Sequence, residues 1–293
     1  MPERSPAVST TRKTILLGTH VYPARADAAT RQKSALATWT KLPSVSLINL
    51  QFKEGATTQE AEGFETLSLL ASDSITVSGK QGPRKPILSE MLATLAQLAA
   101  ERGITYFGFS NSDILLFKEA IDYVRTCGKD AVIFSRMDVD PTSQQDRDEF
   151  ISGQDTMFLS VDFFGKIRHR LRPYVVGEMP WDVIYTSILL AHGNAQLINR
   201  GSLTRHIQHD VIWVNSPFYD YCWHLAKLDW TYMARWYRYY YSLIPLRKQN
   251  AVGEQEEQLL HDVFRHPITL FEKVKNVYRR FRYGMPRAPQ RRK

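Results

Sequence analysis

Asn111-Ser112-Asp113 places a carboxylate directly after the apolar run 104–109 (ITYFGF). An acid at the carboxyl end of a strand can ligate a divalent metal that holds phosphates, and it can equally cap a following helix. His206-Ile-Gln-His209-Asp210 sets two imidazoles three apart beside a carboxylate. From a helical turn both rings reach one metal, from a strand they point to opposite faces, and purely hydrogen-bonding roles are open to both. Pro180-Trp181-Asp182 puts an acid at the start of an amphipathic helix. Asp182 is a good first-turn residue there; beside an indole it also suits general-base work, because desolvation raises a carboxyl pKa. Asp155, in Gly153-Gln154-Asp155, is a second acid of this kind.

A basic segment complements these acids. Residues 79–85 (GKQGPRK) place Lys80, Arg84 and Lys85 before a helix N-terminus, where free N–H groups already favour an anion such as phosphate. A solvated loop is the alternative. Asp138 and Asp140 open an acidic stretch, 138–149, with spacing that approaches a calcium loop. Ser143 stands where the sharp-turn glycine belongs, so a solvated connection is expected. No Gly-x-Gly-x-x-Gly, Walker P-loop, Gly-x-Ser-x-Gly or Cys-x-x-Cys is present, which removes the main support for dinucleotide, P-loop, serine-hydrolase and dithiol chemistry.

The elements that must position these side chains alternate. Strands are expected at 14–21, 45–52, 74–78, 104–109, 131–135 and 156–160, and helices at 30–41, 86–103, 117–126, 163–171 and 183–193. Ile87, Leu88, Met91, Leu92, Leu95 and Leu98 form the clearest apolar stripe. Such alternation predicts an α/β sheet with parallel pairings, covered on both faces, with ligands at the carboxyl ends of its strands. The 18–20 turn, carrying Thr19 and His20, is one such end. Residues 217–283 change character: aromatic and helical, they read as an extension that could line a carbohydrate groove, meet a membrane interface or simply pack on the body.

Length and charge bound the rest. The 293 residues carry 38 Lys+Arg against 30 Asp+Glu, a net charge of +8. Nine of the basic residues lie in 273–293, which has no acid, so the first 272 residues hold 29 basic against 30 acidic side chains. The positive charge belongs to a tail, which could rest on anionic lipid or nucleic acid, and the near-neutral body argues against a dedicated DNA-binding fold. No run is apolar enough to span a membrane, no secretory signal is evident, and Cys127 and Cys222 read as reduced thiols, so a cytoplasmic protein is expected.

In this order the pieces resemble a GT-A-type glycosyltransferase, nearest to bacterial family-2-like proteins of the nucleotide-diphospho-sugar transferase class. The resemblance is carried by TILLGTH, PRKPILSEML, YFGFSNSDILL, GQDTMFLS, VVGEMPWDVIYTSILLAHG and HIQHD, over 14–213. It implies a Rossmann-like, mostly parallel α/β sheet flanked by helices, with a nucleotide-sugar donor across the strand ends and Mn²⁺ or Mg²⁺ under its diphosphate. Asp113 would be the ligand in the D-x-D-like turn and His209 or His206 the late histidine ligand. Asp182 would be the base of inverting transfer and Asp155 would sit near the acceptor. Thr19, His20 and Arg84 would lie near the nucleotide, with Lys80 and Lys85 helping to neutralise the leaving group and Asn111 replacing the first acid of D-x-D.

The activity so implied is transfer of a sugar to a glycan or lipid-linked acceptor in cell-surface or exopolysaccharide synthesis, at or near the inner face of the membrane. The domain plan is a lead-in over 1–12, the catalytic domain over 13–213, the helical extension over 214–283 and the basic tail over 284–293. Two other readings remain: an inactive relative that binds nucleotide-sugar or glycan, motivated by Asn111, and a nucleic-acid-associated protein acting through the tail. A metal-dependent phosphoester hydrolase is a weaker third.

Overall fold

The computed structural model describes residues 14–24, 26–54, 58–140, 145–150, 153–199, 203–209, 216–248, 254–265 and 274. The lead-in, nearly all of the basic tail, and Asp210 fall outside them.

Apolar, β-branched runs form the central sheet: β1 (Ile15–Thr19), β2 (Val45–Phe52), β3 (Glu65–Leu70), β4 (Tyr106–Ser110), β6 (Ala131–Phe134), β9 (Thr156–Ser160) and β10 (Ala195–Ile198). Their spatial order is β10-β6-β9-β4-β1-β2-β3. Ile15 pairs with Val45 on one side and Tyr106 on the other, both in parallel. The sheet is mostly parallel, as expected, with one strand, β9, running against its neighbours β4 and β6.

A second, four-stranded sheet follows the order β5-β11-β7-β8, from β5 (Ile114–Leu116), β7 (Arg136–Val139), β8 (Asp146–Phe150) and β11 (Thr204–Ile207). The acidic stretch read as a solvated, calcium-like loop is therefore largely an antiparallel ladder, with Arg136 paired to Phe150. Interstrand hydrogen bonding overrides a polar composition there.

Helices cover both faces: α1 (Ala26–Trp39), α3 (Leu88–Glu101), α4 (Lys118–Thr126), α5 (Val161–Ile167) and α6 (Trp181–His192). Side-chain alternation along β1 divides the core. Leu16 packs with Leu92, Leu95 and Ile188, whereas Ile15 and Leu17 pack with Leu36, Trp39 and Ile121. Residues 74–78, expected as a strand, form the short helix α2 (Ser74–Ser78) instead. Asp73 decides this: its carboxylate accepts from the Thr76 N–H while Thr76 Oγ1 accepts from the Asp73 N–H, a reciprocal cap. The third strand is β3, whose mixed exposed and half-buried pattern gave no clean signal.

The aromatic region forms α7 (Tyr219–Leu228), α8 (Trp230–Lys248) and α9 (Glu254–Phe264). Phe218, Trp223, Trp236, Tyr239 and Phe264 join the same apolar cluster as α3 and α6. Asp229, between α7 and α8, anchors them by accepting from Arg172 Nε at 2.9 Å and from the Tyr174 hydroxyl at 3.1 Å. Among the described residues both cysteines are free, and no helix is long and apolar enough to cross a membrane.

Candidate functional site

The site forms where the small sheet meets the end of the large one. Asp113 lies between β4 and β5, so it caps no helix; Phe117 holds the N-cap of α4. His206 in β11 stands opposite Ile114 on one neighbour and Asp138 on the other, which brings its ring between two acids. His206 Nε2 lies 3.5 Å from Asp113 Oδ2. Its Nδ1 lies 3.0 Å from Asp138 Oδ1.

His209 follows just past the end of β11, and its Nε2 is also 3.5 Å from Asp113 Oδ2. The strand ends at Ile207, which frees His209 from the alternation that would have sent it to the opposite face; the two imidazoles stand 4.9 Å apart. One ligand atom each from Asp113, His206 and His209 falls within 4.8 Å of the others.

This donor set fits a divalent cation. Two imidazole nitrogens and a carboxylate oxygen suit a transition metal such as Mn²⁺ better than Mg²⁺, which prefers an all-oxygen shell. The Asp138–His206 contact completes the arrangement: a carboxylate accepting from Nδ1–H leaves Nε2 with its lone pair directed at a metal. With no cation beside it, burial disfavours the imidazolium of His206, but hydrogen bonds to Asp113 and Asp138 outweigh burial and push its pKa up to about 9. Burial likewise opposes the Asp113 carboxylate, and the two histidines overcome it, holding the acid well below the usual carboxylate range.

Arg136, on the same face of β7 as Asp138, links this group to the remaining acids. Its Nε lies 3.0 Å from Asp138 Oδ1, and its terminal nitrogen donates to Asp155. Asn111 donates from Nδ2 to Asp155 Oδ1 at 2.8 Å, so its amide faces that acid. Asp182 occupies the first turn of α6 and is half-buried. Burial and the nearby Asp155 carboxylate raise its pKa to about 7; the Val183 N–H and Arg136 pull the other way.

The basic loop is less of a cluster than its composition promised. Arg84 Nε meets Asp73 Oδ2 at 2.5 Å, and its guanidinium lies 4.4 Å from the centre of the Phe52 ring. Lys85 Nζ meets the buried Glu178 at 2.5 Å, while Lys80 is exposed. Two of the three cations are thus partly compensated by internal acids. His20 packs edge-on to Phe52 at 5.0 Å and bonds the Leu50 carbonyl through Nδ1; burial lowers its pKa and favours the neutral ring. Thr19 Oγ1, at the carboxyl end of β1, is buried and has no hydrogen-bond partner among the described residues.

Arg136, Asp138 and Glu178 were missed as site residues. The Arg-Met-Asp spacing of the first two is a strand signal, and it was obscured by the acidic stretch that follows.

The chain is an α/β protein in which a mostly parallel seven-stranded sheet, flanked by helices, is joined to a small second sheet that carries the acid–imidazole group. Solved structures similar to it include residues 1–349 of S. aureus TarS, at 10% identity and TM-score 0.42, over 66% of this chain and 60% of that one. Another is a glycosyltransferase involved in the glycosylation of the major capsid of PBCV-1, at 8% identity and TM-score 0.37, over 67% of this chain and 95% of that one. A third is the glycosyltransferase GlyE of Streptococcus pneumoniae TIGR4, at 12% identity and TM-score 0.36, over 75% of this chain and 60% of that one. No family model and no curated protein matches the sequence.

Proposed function

We propose that this chain is a metal-dependent, inverting glycosyltransferase that moves a sugar from a nucleotide-diphosphate donor to a glycan or lipid-linked acceptor. The observation that carries the reading is the convergence of Asp113, His206 and His209 at the strand ends, with Asp182 tuned to about pH 7 nearby.

Asp113, His206 and His209 would hold the cation, which when bound would neutralise the donor diphosphate and so ease its departure. Asp182 would take the proton of the acceptor hydroxyl. The acceptor oxygen would then form a bond to the anomeric carbon as the bond to the diphosphate oxygen breaks, releasing nucleoside diphosphate. A carboxyl titrating near neutrality is matched to that task. Asp155, held by Arg136 and Asn111, would act through its charge on Asp182 and not as a second base. Thr19, His20 and Arg84 lie at the β1 and β2 ends, where the nucleoside would sit. The exposed Tyr22, within electrostatic reach of Asp113, offers a ring beside it.

A thermal-shift screen of UDP, GDP, CDP, dTDP and ADP, with and without Mn²⁺, tests this on wild type and Asp113→Ala. At a hundredfold excess over its dissociation constant, a ligand stabilises by about 2.7 kcal/mol. One nucleotide should stabilise only with Mn²⁺, and Asp113→Ala should abolish the effect. Silence of every nucleotide in a folded sample with metal present overturns the reading.

A further inference from the structure

We propose that Tyr237 and Tyr241 of α8 form the platform on which a sugar ring of the acceptor stacks while its hydroxyl meets Asp182. This rests on the glycosyl-transfer reading above and adds to it which part of the aromatic extension engages substrate, and what chemical face that substrate presents.

Most aromatics of the extension serve the core. On α8 itself, Met233, Trp236, Tyr239 and Leu243 are buried in the large apolar cluster. Tyr237 and Tyr241 lie one turn apart on a different stripe, their rings 6.1 Å apart and inclined by only 23°. Tyr237 is half-buried against the large apolar cluster, while Tyr241 is 66% exposed, unusual for so large a ring, so the pair extends from the core edge to an aromatic face open to solvent.

Its location points to the occupant. α8 packs against α6, whose first turn carries Asp182. The Tyr237 hydroxyl is within electrostatic reach of the Asp182 carboxylate and of Tyr219 at the start of α7. Just before α7, Pro217 and Phe218 press on Gly82, where a methyl group would come within 2.7 Å of the proline ring, so the extension also abuts the basic 79–85 loop. A substrate reaching Asp182 from the side of the extension meets these rings. Aromatic faces accept the C–H face of a pyranose, and the phenol hydroxyls can bond the ring's own hydroxyls at its rim. The sugar is therefore the acceptor, because the reading above assigns the donor's nucleoside to the β1 and β2 ends, beside His20 and Tyr22.

The test uses the full chain as wild type, Tyr241→Ala, Tyr237→Ala and Tyr237→Phe, loaded with Mn²⁺ and whichever nucleotide stabilises it. Saturation-transfer NMR is recorded with maltose, cellobiose, diacetylchitobiose and the methyl glycosides of glucose, galactose and N-acetylglucosamine. At least one saccharide should bind wild type and Tyr237→Phe, and its affinity should fall roughly tenfold in the alanine variants, as loss of one aromatic contact implies. The Mn²⁺–nucleotide thermal shift should be unchanged throughout, so a failed donor site, which removes that shift from wild type, is distinguishable from a failed platform. Tyr241→Ala removes an exposed ring and keeps the test valid should Tyr237→Ala fold poorly. Absence of any saccharide signal in wild type, or an undiminished signal in Tyr241→Ala, overturns the proposal. So does binding to phosphatidylglycerol vesicles that depends on Tyr241 while no saccharide binds, which would make the pair a membrane contact.

Discussion

A 3.0 Å hydrogen bond joins His206 Nδ1 to Asp138, although 68 residues separate them in the chain. Parallel pairing of β11 with β7 sets the two directly opposite, so the contact follows from strand register. Its consequence is chemical: with Nδ1 committed to Asp138, the Nε2 that approaches Asp113 is the atom left to bind a cation.

Removing that orientation should weaken metal binding without removing a ligand. Asp138→Ala should lower Mn²⁺ affinity by about 10- to 100-fold, read by titration calorimetry. Asp138→Asn, whose amide oxygen can still accept from Nδ1–H, should recover part of the loss. Equal affinity in wild type and Asp138→Ala would show that His206 is oriented by the strand alone.

Arg136 holds Asp138 and Asp155 together, and its loss leaves Asp138 with His206 and Asp155 with the Asn111 amide but neither with the guanidinium charge. Arg136→Ala should destabilise the protein by about 3 kcal/mol at neutral pH, by chemical denaturation. Burial disfavours the charged guanidinium, but Asp155 and Asp138 outweigh it and hold Arg136 protonated at every working pH; burial opposes the Asp138 carboxylate, and His206 and Arg136 hold it below its usual range. The deficit should therefore shrink as pH falls below 3.8, the carboxyl's unfolded value, and Asp138 is protonated. Arg136→Lys keeps the charge but loses the fork that reaches both acids, and should fall between.

As the proposed base, Asp182 would have to be ionised, and burial with the Asp155 charge raises its pKa to about 7. Turnover, measured as release of nucleoside diphosphate, should rise tenfold per pH unit below 7 and level off above it. Asp182→Asn should abolish turnover. The stability effect has the opposite sign. A carboxyl whose folded pKa lies above its unfolded value of 3.8 favours folding while protonated, and that contribution is lost as pH rises from about 4 to 7. Asp182→Asn should therefore melt higher than wild type at pH 8 and near it at pH 4.

Gly108 in β4 faces Phe158 of β9, and a methyl group there would lie 2.4 Å from the Phe158 ring and 3.0 Å from the Met157 carbonyl oxygen. The ring could swing only into a packed core, and the backbone oxygen is held by the ladder. Gly108→Ala should cost about 1–3 kcal/mol by overpacking, despite the entropic advantage alanine normally brings to a strand. An unchanged denaturation midpoint would show that the sheet gives way more easily than its packing implies.

Local rules made much of this protein legible in its sequence. The strands 45–52 and 156–160, the amphipathic α3 and the helical character of the aromatic region follow from side-chain periods that depend on near neighbours alone. Asp113, His206, His209 and Asp182 stand out in the sequence because they fall at predicted strand ends and a helix start, where an α/β sheet collects its ligands. The tertiary structure decided how they are used. The antiparallel β9, the strand character of Arg136–Val139 and Asp146–Phe150 and the pairing of His206 with Asp138 depend on hydrogen bonds between segments distant in sequence, which no local period encodes. Likewise, whether Lys85 is a free cation or Glu178's partner, and whether Tyr241 fills a core or faces solvent, depends on what the chain brings alongside. Residue type sets which interactions are available, and long-range pairing sets which are made.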